Sequence, residues 1–214
     1  MTTPTTPRAA CPSCGAPVSF RWAQAVQTTC EYCKSLLVRH DVNLELVGRQ
    51  ADFPATPSPI QLGVQARWGA HTIDVIGRLT YEWARGRWNE WYCRVSDGGE
   101  AWLGDAQLEY TITRAVASDT PLPDPSTLEA GARLRAAGRT FVVSGLTQAQ
   151  YVGTEGELPF STAGYGLCWF ADLLGTDGSF ATLDGSSTPP TLYVGDPVRW
   201  RDLRATGART FEGW

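Results

Sequence analysis

Four cysteines, Cys11, Cys14, Cys30 and Cys33, stand as two C-x2-C pairs, CPSC and CEYC, with fifteen residues between them. Each pair makes a tight knuckle whose two sulfurs face one point, and two knuckles on facing hairpins complete a tetrahedral four-thiolate site suited to one Zn²⁺ ion. All four positions are then filled, whereas a catalytic zinc keeps one open for water. The reading is therefore a structural zinc ribbon. Iron held as in rubredoxin remains an alternative: Gly15 after the first knuckle fits it, and Lys34 after the second does not. Disulfide pairing is a further one, but it requires an oxidising compartment, and the start MTTPTTPRAA has no apolar core to direct export. Replacing Cys11 or Cys30 with serine is expected to unfold the ribbon, to remove stoichiometric zinc and to leave the rest of the chain folded.

The remaining sequence is long enough for one domain or two to three small ones, at 214 residues and 43% hydrophobic. A net charge of −4, with Lys34 as the one lysine among scattered arginines, weighs against nucleic acid as a partner, since that requires clustered cations to neutralise phosphates. No run of about 18 apolar residues occurs, so a membrane span is not expected and the chain is placed in the cytoplasm. Cys93 and Cys168 sit singly in apolar runs and read as small buried hydrophobes.

Two proline-rich stretches, ADFPATPSPI and SDTPLPDPST, punctuate the chain. They divide it into a flexible leader (1–8), the ribbon (9–48), a linker (49–59), a first β-domain (60–116), a second linker (117–127), a second β-domain (128–203) and a tail (204–214). The two β-domains read as a tandem duplication. Gly63, Arg67, Thr72, Val75 and Gly77 match Gly131, Arg135, Thr140, Val143 and Gly145, and SDGGEAWL later faces TDGSFATL. Alternation marks each copy as antiparallel strands: Ile73, Val75, Leu79, Tyr81 and Trp83 point one way around Gly77, while Arg78, Thr80 and Glu82 point to solvent. Tight turns are expected at Ala84-Arg85-Gly86-Arg87 and Ser96-Asp97-Gly98-Gly99. Only Ser126 to Ala137 and Asp202 to Ala208 could hold a helical turn or two. The fold class is mainly β: a zinc ribbon followed by two small antiparallel β-barrel or β-roll domains. Five of nine tryptophans fall in the first copy and most must be core, since a domain of this size needs dense aromatic packing.

The segments GRLTYEW, GRWNEWYCRVSDG and AWL in the first copy, with EGELPF and DGSFATLD in the second, resemble the bacterial domain-of-unknown-function family 4178. Proteins of that family often start with a ribbon like CPSCGAPVSF. The resemblance implies no established activity. Relatives are commonly encoded beside polyamine-synthesis enzymes, small membrane proteins and phage-shock-type coat proteins, which implies an accessory role in envelope or membrane stress and an indirect association with membranes. Cys93 and Arg94 stand where leucines are usual, so this strand is expected at an edge.

No catalytic set is legible. The two histidines, His40 and His71, lie beside a filled metal site and in a turn, and no phosphate-cradling or nucleophile-elbow motif is present. The leading expectation is a non-enzymatic adaptor that binds a protein partner through Trp88, Glu90 and Tyr92, expected to face outward. The bland reading of the acids is that Glu90 and Arg94 are solvated and that Glu157 caps a turn before Pro159. The second expectation is a small-ligand module in which aromatic rings with Glu90 and Glu157 hold a polyamine-type cation.

Overall fold

The computed structural model describes residues 8–41, 43–49 and 58–210. All of the expected leader but Arg8, most of the first linker and the end of the tail fall outside them. In the ribbon, β1 (Arg8–Ala10) pairs with β2 (Pro17–Ser19), and β3 (Gln27–Thr29), β4 (Ser35–His40) and β5 (Asn43–Arg49) form a three-stranded sheet. The two knuckles close in the same way: Gly15 N–H donates to Cys11 O at 2.8 Å and Lys34 N–H to Cys30 O at 3.0 Å. Both closing residues have left-handed backbones, φ 74° and 59°, which glycine adopts freely and lysine only where the turn demands it.

Two five-stranded meanders follow. The first comprises β6 (Gln65–Trp68), β7 (His71–Trp83), β8 (Gly86–Val95), β9 (Glu100–Ala106) and β10 (Glu109–Val116). The second comprises β11 (Arg133–Ala136), β12 (Arg139–Gly156), β13 (Leu167–Gly175), β14 (Phe180–Asp184) and β15 (Thr191–Val198). They do not form separate sheets. β10 pairs antiparallel with β15 and the far half of β7 pairs with the far half of β12, so the ten strands make one sheet. Following neighbours from β7 through β8, β9, β10, β15, β14, β13 and β12 leads back to β7. A short meander alone leaves its outer strands with unpaired amides and carbonyls, and joining two meanders at both ends satisfies them.

Matching hydrogen bonds recur in the two meanders. Gly63 N–H donates to Val75 O and Gly131 N–H to Val143 O, both at 2.8 Å. In the tight turns, Gly99 N–H donates to Asp97 Oδ1 at 2.9 Å and Ser179 N–H to Asp177 Oδ1 at 3.0 Å. Both long strands carry a register shift at the same place, between Val75 and Gly77 and between Val143 and Gly145. An extra residue sends every later side chain to the opposite face of a strand. Ile73 and Val75 therefore enter a core with Trp91, Leu103 and Ile112, whereas Leu79 and Tyr81 enter another with Tyr92 and Phe170.

Strands β7 and β8 are buried on both faces over most of their length, which corrects three expectations. Arg78 and Thr80 are not solvated but buried. β8 is no edge: it lies between β7 and β9, with Cys93 fully buried. Trp88, Glu90 and Tyr92 do not face outward. They point into the space enclosed by the circuit of strands, where Trp88 stacks on Tyr81 with centroids 5.3 Å apart and Tyr92 meets Trp22 of the ribbon at 5.6 Å. Among the described residues, helix is confined to single 3-10 turns at Pro125–Thr127 and Trp200–Leu203, and Arg133–Ala136, expected within a helical stretch, is strand β11. No helix among the described residues is long and apolar enough to cross a membrane.

Candidate metal centre and acidic cavity

The four cysteine sulfurs all lie within 4.8 Å of one another, with Cys11 and Cys33 3.7 Å apart and Cys14 and Cys30 3.8 Å apart. A regular tetrahedron of sulfurs at about 2.3 Å from a central zinc has edges of about 3.8 Å, so the donor set fits a metal ion in both chemistry and size. The Cys33 sulfur lies 3.1 Å from the Ser35 hydroxyl, and that contact, with the Ser35 backbone, holds the Cys33 thiol down to about 6. A thiolate is the form a metal requires.

The sheet encloses a second centre. One chamber of about 280 Å³ is bordered by Glu90, Trp102, Phe160, Tyr165, Asp184 and Tyr193. An adjoining chamber of about 390 Å³ is bordered by Trp83, Trp88, Phe170 and Asp172, and the two share Glu90, Gly104, Thr111, Phe180 and Thr182. Glu90 thus stands where the chambers meet. Its carboxylate accepts from Trp88 Nε1 at 3.1 Å and has no bond to Arg94. Burial, with the charges of Asp184 and Asp172 adding to it, pushes Glu90 up to about 8. Burial also raises Asp184, although the Ser186 amide donates to it at 2.7 Å, and Asp172, although the Thr182 hydroxyl donates to it at 3.1 Å. Among the described residues, the first chamber has no lysine, arginine or histidine in its wall. The second has only Arg87, whose guanidinium pairs with Glu82 at 3.0 Å.

Glu157 is buried but lies apart from both chambers. It does not cap a local turn: its two oxygens accept from the backbone N–H groups of Arg21 and Trp22 in the ribbon, more than a hundred residues away in sequence. Burial raises its pKa and those two amides pull it back. The backbone packs closely here, since a Cβ on Gly77 would stand 2.1 Å from Glu157 O. The acids expected to act together are thus divided between a cavity and a docking joint. The histidines lie outside the cavity wall, His40 against Glu45 at 2.8 Å and His71 beside Asp97 at 4.0 Å.

Asp172 and Asp184 escape a reading of the sequence, although each carries a signal: an acid inside an apolar strand, in CWFADLLG and FATLD, at positions alternating with buried Ala171, Leu173 and Leu183.

A match to a family described as a domain of unknown function, DUF4178, covers residues 61–199, well over half of the chain. The chain belongs to this family. Its DUF4178 region takes in both meanders as one unit and leaves the ribbon outside, as the shared sheet requires. None of the curated proteins and none of the solved structures matches the chain.

Proposed function

We propose that this DUF4178 protein is a binding module, not a catalyst, that holds a small organic cation of the polyamine type in the acidic cavity, with one structural Zn²⁺ stapling its ribbon. The observation that carries this reading is the convergence of Glu90, Asp172 and Asp184 on two adjoining chambers whose walls, among the described residues, carry no cation but Arg87, which pairs with Glu82. Buried carboxylates without a counter-charge are costly, and either protons or a bound cation must neutralise them. The rings of Trp88, Trp102 and Tyr193 add π faces that attract ammonium groups. An adaptor that binds a protein partner, with its hinted link to the envelope, is the runner-up. The aromatic surface it relied on is enclosed, so the cavity reading leads. The recurring turns, bulges and amide bonds support descent of the two meanders from one duplicated unit. A cytoplasmic setting accords with six cysteines that form no disulfide.

The test is a thermal-shift titration with spermidine at low salt. A ligand at a hundred times its Kd stabilises the fold by about 2.7 kcal/mol. Wild type is expected to rise by several degrees and Glu90→Gln by little or nothing. Because Glu90 is protonated below about 8, binding should strengthen from pH 6 to pH 8.5 and release protons, as calorimetry in buffers of different ionisation enthalpy reports. Absence of any shift in wild type at low salt would reject the reading.

A further inference from the structure

We propose that metal binding by the four cysteines and ligand binding in the cavity are thermodynamically coupled, through a wall segment, residues 157–165, that the ribbon holds in place. The proposal rests on the cavity being the ligand site, and it adds a control over that site.

The segment forms part of the cavity. Phe160 and Tyr165 border the first chamber, stacked on one another with centroids 6.0 Å apart, and Phe160 also lies against Trp102 at 6.2 Å. Its attachments run to the ribbon. Val26 N–H and Gln27 N–H donate to Leu158 O at 2.9 and 3.1 Å, and Leu158 N–H donates to Gln27 O at 2.9 Å. The Gln27 side chain reaches on to Thr162: its Nε2 donates to Thr162 Oγ1 at 3.0 Å, and its Oε1 accepts from Thr162 N–H at 2.8 Å. Trp22 N–H adds a bond of 2.9 Å to Glu157. Among the described residues, every hydrogen bond that the backbone of 158–162 makes to another segment goes to the ribbon. Toward the sheet the segment makes fewer hydrogen bonds, and Leu158 is buried there among Ile76, Leu79 and Tyr92. Glu157 N–H donates to Ile76 O at 2.8 Å and the Tyr151 hydroxyl to Thr162 Oγ1 at 2.9 Å.

The ribbon cannot hold this geometry by packing alone. Its buried core is Cys11, Val18, Phe20, Ala25, Cys30 and Leu37, and two of these six are metal ligands. A core that small requires a metal to fold. The docking residue Gln27 opens β3, and Cys30 follows directly after that strand. Metal at the cysteines therefore orders β3 and the turn before it, and that turn orders the wall carrying Phe160 and Tyr165. Linkage makes the effect reciprocal: whatever factor the metal adds to ligand affinity, the ligand adds to metal affinity.

The test is hydrogen–deuterium exchange on the full chain, zinc-loaded and after chelation. Chelation should speed exchange at 158–165 by at least about tenfold along with the ribbon, while β8, β9, β13 and β14 stay protected. Unchanged exchange at 158–165 once the ribbon has lost protection overturns the proposal. So does loss of protection throughout, which would make the metal a determinant of the whole fold. Gln27→Ala provides a variant that keeps all four thiolates: with its zinc content measured as one per chain, it should still exchange faster at 158–162, and an unaltered rate overturns the link. Spermidine affinity supplies the functional arm. It should fall at least about fivefold on chelation, and equal affinity in both forms overturns the coupling. If spermidine binds neither form, the cation reading fails, while the exchange data alone decide whether metal orders the wall.

Discussion

The two meanders share a hydrogen-bonded frame and differ in what fills it and in how their longest strands are joined. In the first, β7 and β8 are connected through only Ala84 and Arg85, and the core mixes Trp91 and Tyr110 with buried polar groups. Arg78 lies over the Trp91 ring at 5.0 Å, donates twice to Asn89 Oδ1, at 2.9 and 2.7 Å, and pairs with Glu155 at 3.0 Å. Asp105 accepts from Ser58 at 2.5 Å in the same interior. In the second, the core is Phe141, Val143, Ala171, Leu173, Ala181, Leu183 and Leu192, and β12 reaches β13 through residues 157–166. Leu146 stands there where the first has Arg78. The same turns and bulges thus accept a polar, aromatic filling or an aliphatic one, because they depend on backbone bonds and not on which side chains occupy the interior. The departure from symmetry lies in the inserted segment, which docks the ribbon and walls the cavity and has no counterpart between β7 and β8.

Three substitutions sharpen this contrast, in descending order of effect. Arg78→Ala removes the guanidinium that pairs with Glu155 and strips two donors from buried Asn89, and should cost about 3–5 kcal/mol in urea unfolding. Leu146→Ala, at the matching place, should cost far less; equal costs would show that the polar network is not what distinguishes the first core. Leu183→Ala opens a cavity in the aliphatic core and should cost about 2–4 kcal/mol by the same assay. A loss below about 1 kcal/mol would mean that this core collapses around the gap. Glu90→Gln should be the smallest and opposite in sign. The folded state holds the Glu90 proton up to about 8, while the unfolded chain releases it near 4.5, so wild type loses stability as pH rises between those values and regains none above them. Relative to wild type, Glu90→Gln should gain on the order of 2 kcal/mol at pH 6, more as pH rises towards 8, and almost nothing at pH 4.5. A difference that does not vary with pH would place Glu90 in contact with solvent.

Much of the frame was legible. The cysteine spacing led to a converged sulfur cluster and the Asp-Gly pairs to turns at Asp97 and Asp177, but the alternation read straight through Gly77 missed the register shift there, which puts Ile73 and Val75 on one face and Leu79 and Tyr81 on the other. What misled was the alternation in β7 and β8. Period-two patterning reports which residues share a face, but it cannot say whether the second face meets water or another layer. With Arg78, Asn89 and Glu90 on these strands, polarity suggested solvent. The structure buries Arg78 and Asn89 in one interior and turns Glu90 into the cavity. Glu157 was singled out from its motif, yet its partners Arg21 and Trp22 lie too far away in sequence for any local pattern to join them.

The sequence by itself determined the cysteine knuckles, the hairpins and the family, because each depends on residues within a few positions of one another or on a continuous string of them. Only the tertiary structure decided that the two meanders share one sheet, that Glu90, Asp172 and Asp184 converge, and that the ribbon grips the cavity wall. Those outcomes follow from pairing β7 with β12 and β10 with β15. Backbone hydrogen bonds between strands are nearly indifferent to side-chain identity, so the letters along each strand carry little record of which distant strand lies beside it.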